Sequence, residues 1–175
     1  MLTHWNKLLN TDCKVYQIGE CYVYPVFRNG SSSLERECDN ILVNENIRYC
    51  DNMHVLIRDP KERFISGINE YCSQNNADLN ETHRLVVEGK FIDRHFSPQW
   101  TWLFHLYKYY KGKVVLRSFD KISDYTGLHA NPSEKNTTTV DVPNEYVDGD
   151  LKLSKHFDQH KDLADIIKEH VNVLS

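Results

Sequence analysis

The sequence predicts a single α/β domain in which a short central parallel β-sheet is flanked by helices. Three observations carry that prediction. Short apolar runs rich in β-branched and aromatic residues alternate along the chain with longer segments of helical spacing. Two of these runs end in turns, Asn-Gly-Ser and Asp-Pro, that open directly into helical patterns. The chain has 175 residues, enough to bury one substantial core and too few for several. Strand–helix alternation implies parallel pairing through right-handed crossovers, and ligands of such sheets gather at the carboxyl ends of the strands.

Each element has a local reason. CYVYPVF, Cys21–Phe27, reads as a buried strand that stops at a Gly/Ser cluster. SSSLERECDNIL, Ser31–Leu42, starts with capping-type Ser residues and an acidic first turn, so it reads as a helix. HVLIRD, His54–Asp59, is a second strand, and Pro60 suits the first turn of the helix that follows. Over Lys61–Cys72 that helix places Phe64, Ile68 and Tyr71 on one face. Ser73–Asn80 reads as a loop and Thr82–Gly89 as a short helix. Pro98 opens a helix with an apolar face of Trp102, Leu103, Leu106, Tyr109 and Tyr110. KVVLRSF, Lys113–Phe119, is the third strand, and Asp120–Leu128 a short helix stopped by Gly127. Residues 129–150 are polar with weak periodicity and read as a long loop or linker, and Lys161–Leu174 as a terminal helix. Residues 14–136 form the expected ligand-binding core of one domain spanning 1–175.

Composition narrows the function. A net charge of −4 excludes a basic protein that coats nucleic acid, so an anionic ligand must be held by a local group of Arg and Lys. No apolar run reaches membrane-span length and the N-terminus carries no secretory pattern, so the chain reads as cytoplasmic. Five cysteines, odd in number and without Cys-x-x-Cys pairs, read as reduced thiols and not as a disulfide frame or zinc site. Asn29, Asn80 and Asn136 head Asn-x-Ser/Thr triplets, which are incidental in a chain without an export signal. His156 and His160 have helical metal-ligand spacing but no third ligand, and read as a solvated helix face.

Two segments carry chemistry. In Tyr24–Arg36 a strand runs into Asn29-Gly30, three Ser and a helix. Gly30 lets backbone N–H groups turn toward an anion, Ser31, Ser32 and Ser33 add hydroxyl donors, and Arg28 adds a forked permanent charge. No Gly-Lys-Ser/Thr follows, so this is not the standard ATPase loop. In His54–Tyr71, Arg58 ends a strand and Ser66 lies about two helical turns further on, where both can meet one phosphate. Read without a ligand, Asp59 is simply the helix N-cap and Arg63 a solvated surface residue.

Together these segments resemble the sulfotransferases that use 3′-phosphoadenosine-5′-phosphosulfate (PAPS). RNGSSSL looks like that family's 5′-phosphosulfate loop, and RDPKERFISG is very similar to its 3′-phosphate motif. DRHFSPQW, Asp93–Trp100, resembles the His-x-x-Pro-Gln stretch of the carbohydrate branch, and GLHANPSEKN its His-x-Asn-x-Ser loop. The resemblance covers residues 21–136 and implies a three-layer, P-loop-like fold. It departs in two respects: Arg28 stands where Lys is usual, and the chain is shorter than most members, which leaves the acceptor class open.

The resemblance implies transfer of a sulfuryl group from PAPS to an acceptor hydroxyl, most naturally of a carbohydrate, by in-line displacement without a metal; PAP is the product. It implies that Gly30, Asn29 and Ser31–Ser33 hold the 5′-phosphate, Arg28 the transferring group, and Arg58 and Ser66 the 3′-phosphate. His129, Asn131 and Ser133 would form a lid. His95 is the candidate general base, with Glu35, Glu37 and Asp93 as substitutes, while His54 and His105 read as structural. The alternatives are a P-loop-like nucleotide kinase using Mg²⁺ and ATP, with Asp59 as metal or substrate partner, and a catalytically degenerate PAP(S)-binding protein.

Overall fold

The computed structural model describes residue 5 and residues 8–27, 29–126 and 140–174. Its centre is a six-stranded mixed sheet: β1 Lys14–Ile18, β2 Cys21–Tyr24, β3 Asn40–Val43, β4 Met53–Ile57, β5 Lys113–Ser118 and β6 His160–Asp162. The spatial order is β3-β1-β2-β4-β5-β6. Pairings β2–β4 and β4–β5 are parallel; β1–β2, β1–β3 and β5–β6 are antiparallel. The helices are α1 Ser31–Glu37, α2 Pro60–Asn75, α3 Leu79–Val87, α4 Gln99–Tyr107, α5 Asp148–Leu151 and α6 Leu163–Leu174.

The three strands expected from sequence are therefore the parallel middle of the sheet, but three antiparallel strands extend it. β1 pairs with β2 across the two residues Gly19 and Glu20. The expected helix over Ser31–Leu42 stops at Glu37: Cys38 is extended, and Asn40–Val43 turns back to pair with β1. The Ile-Leu-Val run gains a partner there that a longer helix would forgo. At the other edge, His160–Asp162 pairs with β5, so the terminal helix begins at Leu163 and not at Lys161.

Other local readings need correction. α2 runs on to Asn75, which shortens the expected loop, and Phe119–Asp124 forms a 3-10 turn and not an α-helix. Residues 140–150 are not linker. They hold a 3-10 turn, Asn144–Tyr146, and α5, with Tyr146 and Asp150 both 3% exposed. His156 ends a 3-10 turn and His160 lies in β6, so the two share no helix face.

Side-chain alternation in the strands separates two cores. Val15, Tyr24, Val55, Ile57, Val114 and Leu116 face the larger one, which takes Phe64 and Ile68 of α2, Leu103 and Leu106 of α4, and Ile166 of α6. Tyr16, Val23 and Leu56 face the smaller one with Leu34 of α1, Ile122 and Tyr125. Leu34 is fully buried, which contributes about 1.5–3 kcal/mol and fastens α1 to that face. Among the described residues no helix is long and apolar enough to cross a membrane.

Candidate functional site

β2 and β4 lie side by side in parallel, with Tyr24 opposite Val55, so their carboxyl ends open onto the same rim of the sheet. The chain leaves β2 through α1 on the small-core face and leaves β4 through α2 on the large-core face. Divergence of this kind makes a crevice between the two strand ends, the place where open α/β sheets bind ligands.

Gly30 has two reasons to be glycine. Its φ is 75°, in the left-handed region, and a Cβ there would overlap the side chain of Ile122 and press on Phe119. Phe119 is also the ring beneath Arg58, whose guanidinium carbon lies 5.5 Å from the ring centroid. One phenylalanine thus separates the Gly30 turn from Arg58. Ser31, Ser32 and Ser33 form the first turn of α1; Ser32 is exposed, Ser31 and Ser33 half-buried, and no described side chain caps this helix start.

Gln99, the first residue of α4, ties the segments after β2 and β4 together. Its Oε1 accepts from Asn29 Nδ2 at 2.6 Å and from the Arg58 backbone N–H at 2.9 Å. Its Nε2 donates to the Arg58 carbonyl at 2.8 Å and to Asp150 Oδ2 at 3.1 Å. Asn29 Nδ2 also donates to Leu56 O at 2.8 Å. Asn29 is fully buried, so this side chain shapes the turn from inside, and its Oδ1 has no hydrogen-bond partner among the described residues. Asp150 completes the knot by capping α4, accepting from the N–H groups of Gln99 (2.8 Å) and Trp100 (2.9 Å). Burial pushes its carboxyl up to about 6, against the pull of these N–H groups and of the Arg63 charge.

Arg63 is not a solvated surface residue. It is 2% exposed, and its Nε and Nη2 both donate to the Phe27 carbonyl, at 3.2 and 2.9 Å, while Nη1 donates to the Ser97 carbonyl. A guanidinium on α2 thus clamps the residue that leads into the first loop. Asp59 is the N-cap of α2, accepting from Glu62 N–H at 2.9 Å. Ser66 is half-buried on α2, next to Gly67, where a Cβ would overlap the His95 carbonyl. Gly67 therefore lets the turn that carries His95 lie directly on the helix.

His95 is 8% exposed, with its ring edge-on to Phe27 at 4.9 Å and Nδ1 2.5 Å from Asp93 Oδ1. His105 bonds Tyr24 Oη and the Thr11 carbonyl, and His54 bonds Tyr125 Oη and Asn52 Oδ1; burial lowers the pKa of each. A cavity of about 330 Å³ opens at the ends of β4 and β5, lined by Arg58, Glu62, Ser118, Phe119, Asp150 and Phe157 among others, and by none of Asn29, Gly30, Ser31–Ser33, Ser66 or His95.

The structure joins Asn29 and the Arg58 backbone through Gln99 and sets Gly30 and Arg58 against Phe119, while His95 lies against Gly67 of α2, the neighbour of Ser66, and against Phe27. Arg28, His129, Asn131 and Ser133 lie outside the described residues, as does Gly127. Gln99, Arg63 and Asp150 were not among the expected site residues. The Pro-Gln helix start marked the first weakly, and Asp150 has no local signal, lying 51 residues beyond the Gln99 it binds. All five cysteines are free, and no group of three His, Cys, Asp or Glu among the described residues is placed to hold a metal ion. Comparison with protein families, with curated proteins and with solved structures finds no match to this chain.

Proposed function

We propose that this chain is a PAPS-dependent sulfotransferase with a three-layer, P-loop-like fold, acting on a hydroxyl acceptor, most naturally of a carbohydrate. The observation that carries the reading is the Asn29–Gln99–Arg58 bridge, which draws the two anion-binding segments of the sequence to neighbouring ends of parallel strands.

In this reading Arg58 and Ser66 hold the 3′-phosphate and so discriminate the nucleotide from ATP. The Gly30 backbone with Ser31, Ser32 and Ser33 holds the 5′-phosphate, and Asn29 sets the path of that turn from below. Arg28 neutralises charge growing on the bridging oxygen; one such preorganised donor is worth roughly 3–4 kcal/mol. His95 takes the proton of the acceptor hydroxyl. His129, Asn131 and Ser133 close over the nucleotide.

Thermal unfolding with PAP and, separately, with Mg-ATP tests the reading. At a PAP concentration 100 times Kd, binding stabilises by about 2.7 kcal/mol and raises Tm by roughly 5–10 °C. A shift with Mg-ATP and none with PAP replaces the transferase with a kinase. A PAP shift without transfer of labelled sulfate to any glycan, lipid or peptide in a panel makes the chain a nucleotide-binding protein that has lost its chemistry.

A further inference from the structure

The buried histidines of this chain differ in how they use their two ring nitrogens. His105 engages both in hydrogen bonds, as does the half-buried His54. His170 and His156 each leave Nε2 without a hydrogen bond but sealed from solvent, the His170 ring stacked on Trp100 and His156 Nδ1 meeting Lys161 Nζ at 3.2 Å. His95 engages Nδ1 alone, and among the described residues nothing hydrogen-bonds to its Nε2. Its partner is Asp93, whose Oδ1 accepts from both His95 groups: the backbone N–H at 2.9 Å and Nδ1 at 2.5 Å.

We propose that Asp93 is a positioning residue that fixes the tautomer and ring plane of His95, leaving Nε2 bare to receive a proton. An ionised carboxylate only accepts, so the hydrogen between the pair sits on Nδ1, and neutral imidazole then carries its lone pair on Nε2. The ring plane is held on two more sides, edge-on to Phe27 at 4.9 Å and to Tyr71 at 6.1 Å. Phe27 is itself held by Arg63 through its carbonyl, so the imidazole is indexed to the residue that enters the first loop. The side chains of His95 and Asp93 are 10% and 22% exposed, which shelters the pair without closing it off. A carboxylate orienting a histidine in this way is a recurrent device for making a general base.

The chemical role rests on the sulfotransferase reading. The acceptor O–H bond breaks and its proton passes to Nε2. The oxygen's electron pair forms the new O–S bond, and the S–O bond to the 5′-phosphate breaks, that pair leaving with the phosphate.

Long-range ¹H–¹⁵N correlation on the ¹⁵N-histidine-labelled full chain at pH 8 reads the tautomer directly and needs no substrate. The expected state of His95 is Nδ1–H with Nε2 bare; an Nε2–H tautomer in the wild type overturns the proposal. Asp93→Ala should move His95 toward Nε2–H and lower kcat by about 10²-fold, within the range of general-base contributions, with KM for PAPS unchanged. Asp93→Asn, whose amide oxygen still accepts from Nδ1–H, should restore the tautomer and part of kcat. Full kcat or an unmoved tautomer in Asp93→Ala removes the role. Should that variant not fold, the wild-type tautomer and Asp93→Asn decide. Failure of PAP to bind would refute the nucleotide reading, and the tautomer would still judge the positioning of His95 by Asp93.

Discussion

The carboxamide of Gln99 grips the backbone of Arg58 at two points, Oε1 on its N–H at 2.9 Å and Nε2 on its carbonyl at 2.8 Å, as a neighbouring strand would. The strand end that presents Arg58 is thereby extended by a side chain from a helix 41 residues away. The same Oε1 receives Asn29, so one side chain bonds to both loops.

Gln99→Leu removes that residue's hydrogen bonds without removing its bulk. The Arg58 N–H and carbonyl lose this partner in a half-buried region, and the Asn29 amide is left with the Leu56 carbonyl. Unsatisfied buried groups cost about 1–3 kcal/mol each before relaxation, so a total loss of about 2–4 kcal/mol is expected in urea unfolding. PAP affinity should fall in parallel. A loss below about 1 kcal/mol would mean that the loops hold their places by other contacts.

Gly67→Ala inverts the ordinary helix rule. Alanine favours a solvated helix interior over glycine by about 1 kcal/mol. Here the added methyl meets the backbone carbonyl of His95, which cannot swing aside as a side chain would. A destabilisation of about 1–3 kcal/mol is expected, with turnover reduced through displacement of His95. A more stable variant would show that the turn does not lie against α2.

Arg63→Lys keeps the charge and loses the fork. A lysine cannot reproduce the paired donation of Nε and Nη2 to the Phe27 carbonyl while also reaching Ser97. The variant should lose about 2–3 kcal/mol, and amide hydrogen exchange should quicken across residues 26–31. Unchanged exchange there would separate Arg63 from control of the loop.

Arg58→Ala tests whether this residue holds the nucleotide. The guanidinium lies over Phe119 and 3.8 Å from Glu62, an exposed partner whose ion pair contributes little. A charge-assisted bond to phosphate is worth about 1.5–3 kcal/mol, so calorimetry should find PAP affinity about 10- to 100-fold weaker. Unaltered affinity would take Arg58 out of the site.

Acid stability should carry two opposed signatures from one corner of the molecule. His170 stacks on Trp100, and burial drops its pKa from 6.5 to about 4. The folded state binds that proton less readily than the unfolded state, so this contribution is whole above pH 6.5 and lost as pH falls toward 4. Asp150, which binds the Trp100 N–H, is shifted up from 3.8 to about 6. Its contribution is whole below 3.8 and lost as pH rises through 6, which offsets part of the first. His170→Phe keeps the stacked ring and removes the titration, so its Tm should fall less than that of the wild type between pH 7 and pH 4.5. Parallel curves would show that His170 titrates normally.

What the chain determines by itself here is local. The parallel strands β2, β4 and β5, the glycine turn at Gly30, the Asp59-Pro60 helix start and the start at Pro98 all follow from hydrophobic period and turn chemistry within a few residues. Tertiary structure alone decided the rest. β1, β3 and β6 are strands because another strand lies beside them, and Asn40–Val43 left its expected helix for that pairing. Arg63 is buried because the fold brings two backbone carbonyls to it, and Gln99 and Asp150 form one knot although 51 residues separate them. A polar side chain can be buried only where partners replace its water, and those partners come from distant parts of the chain that no local pattern records.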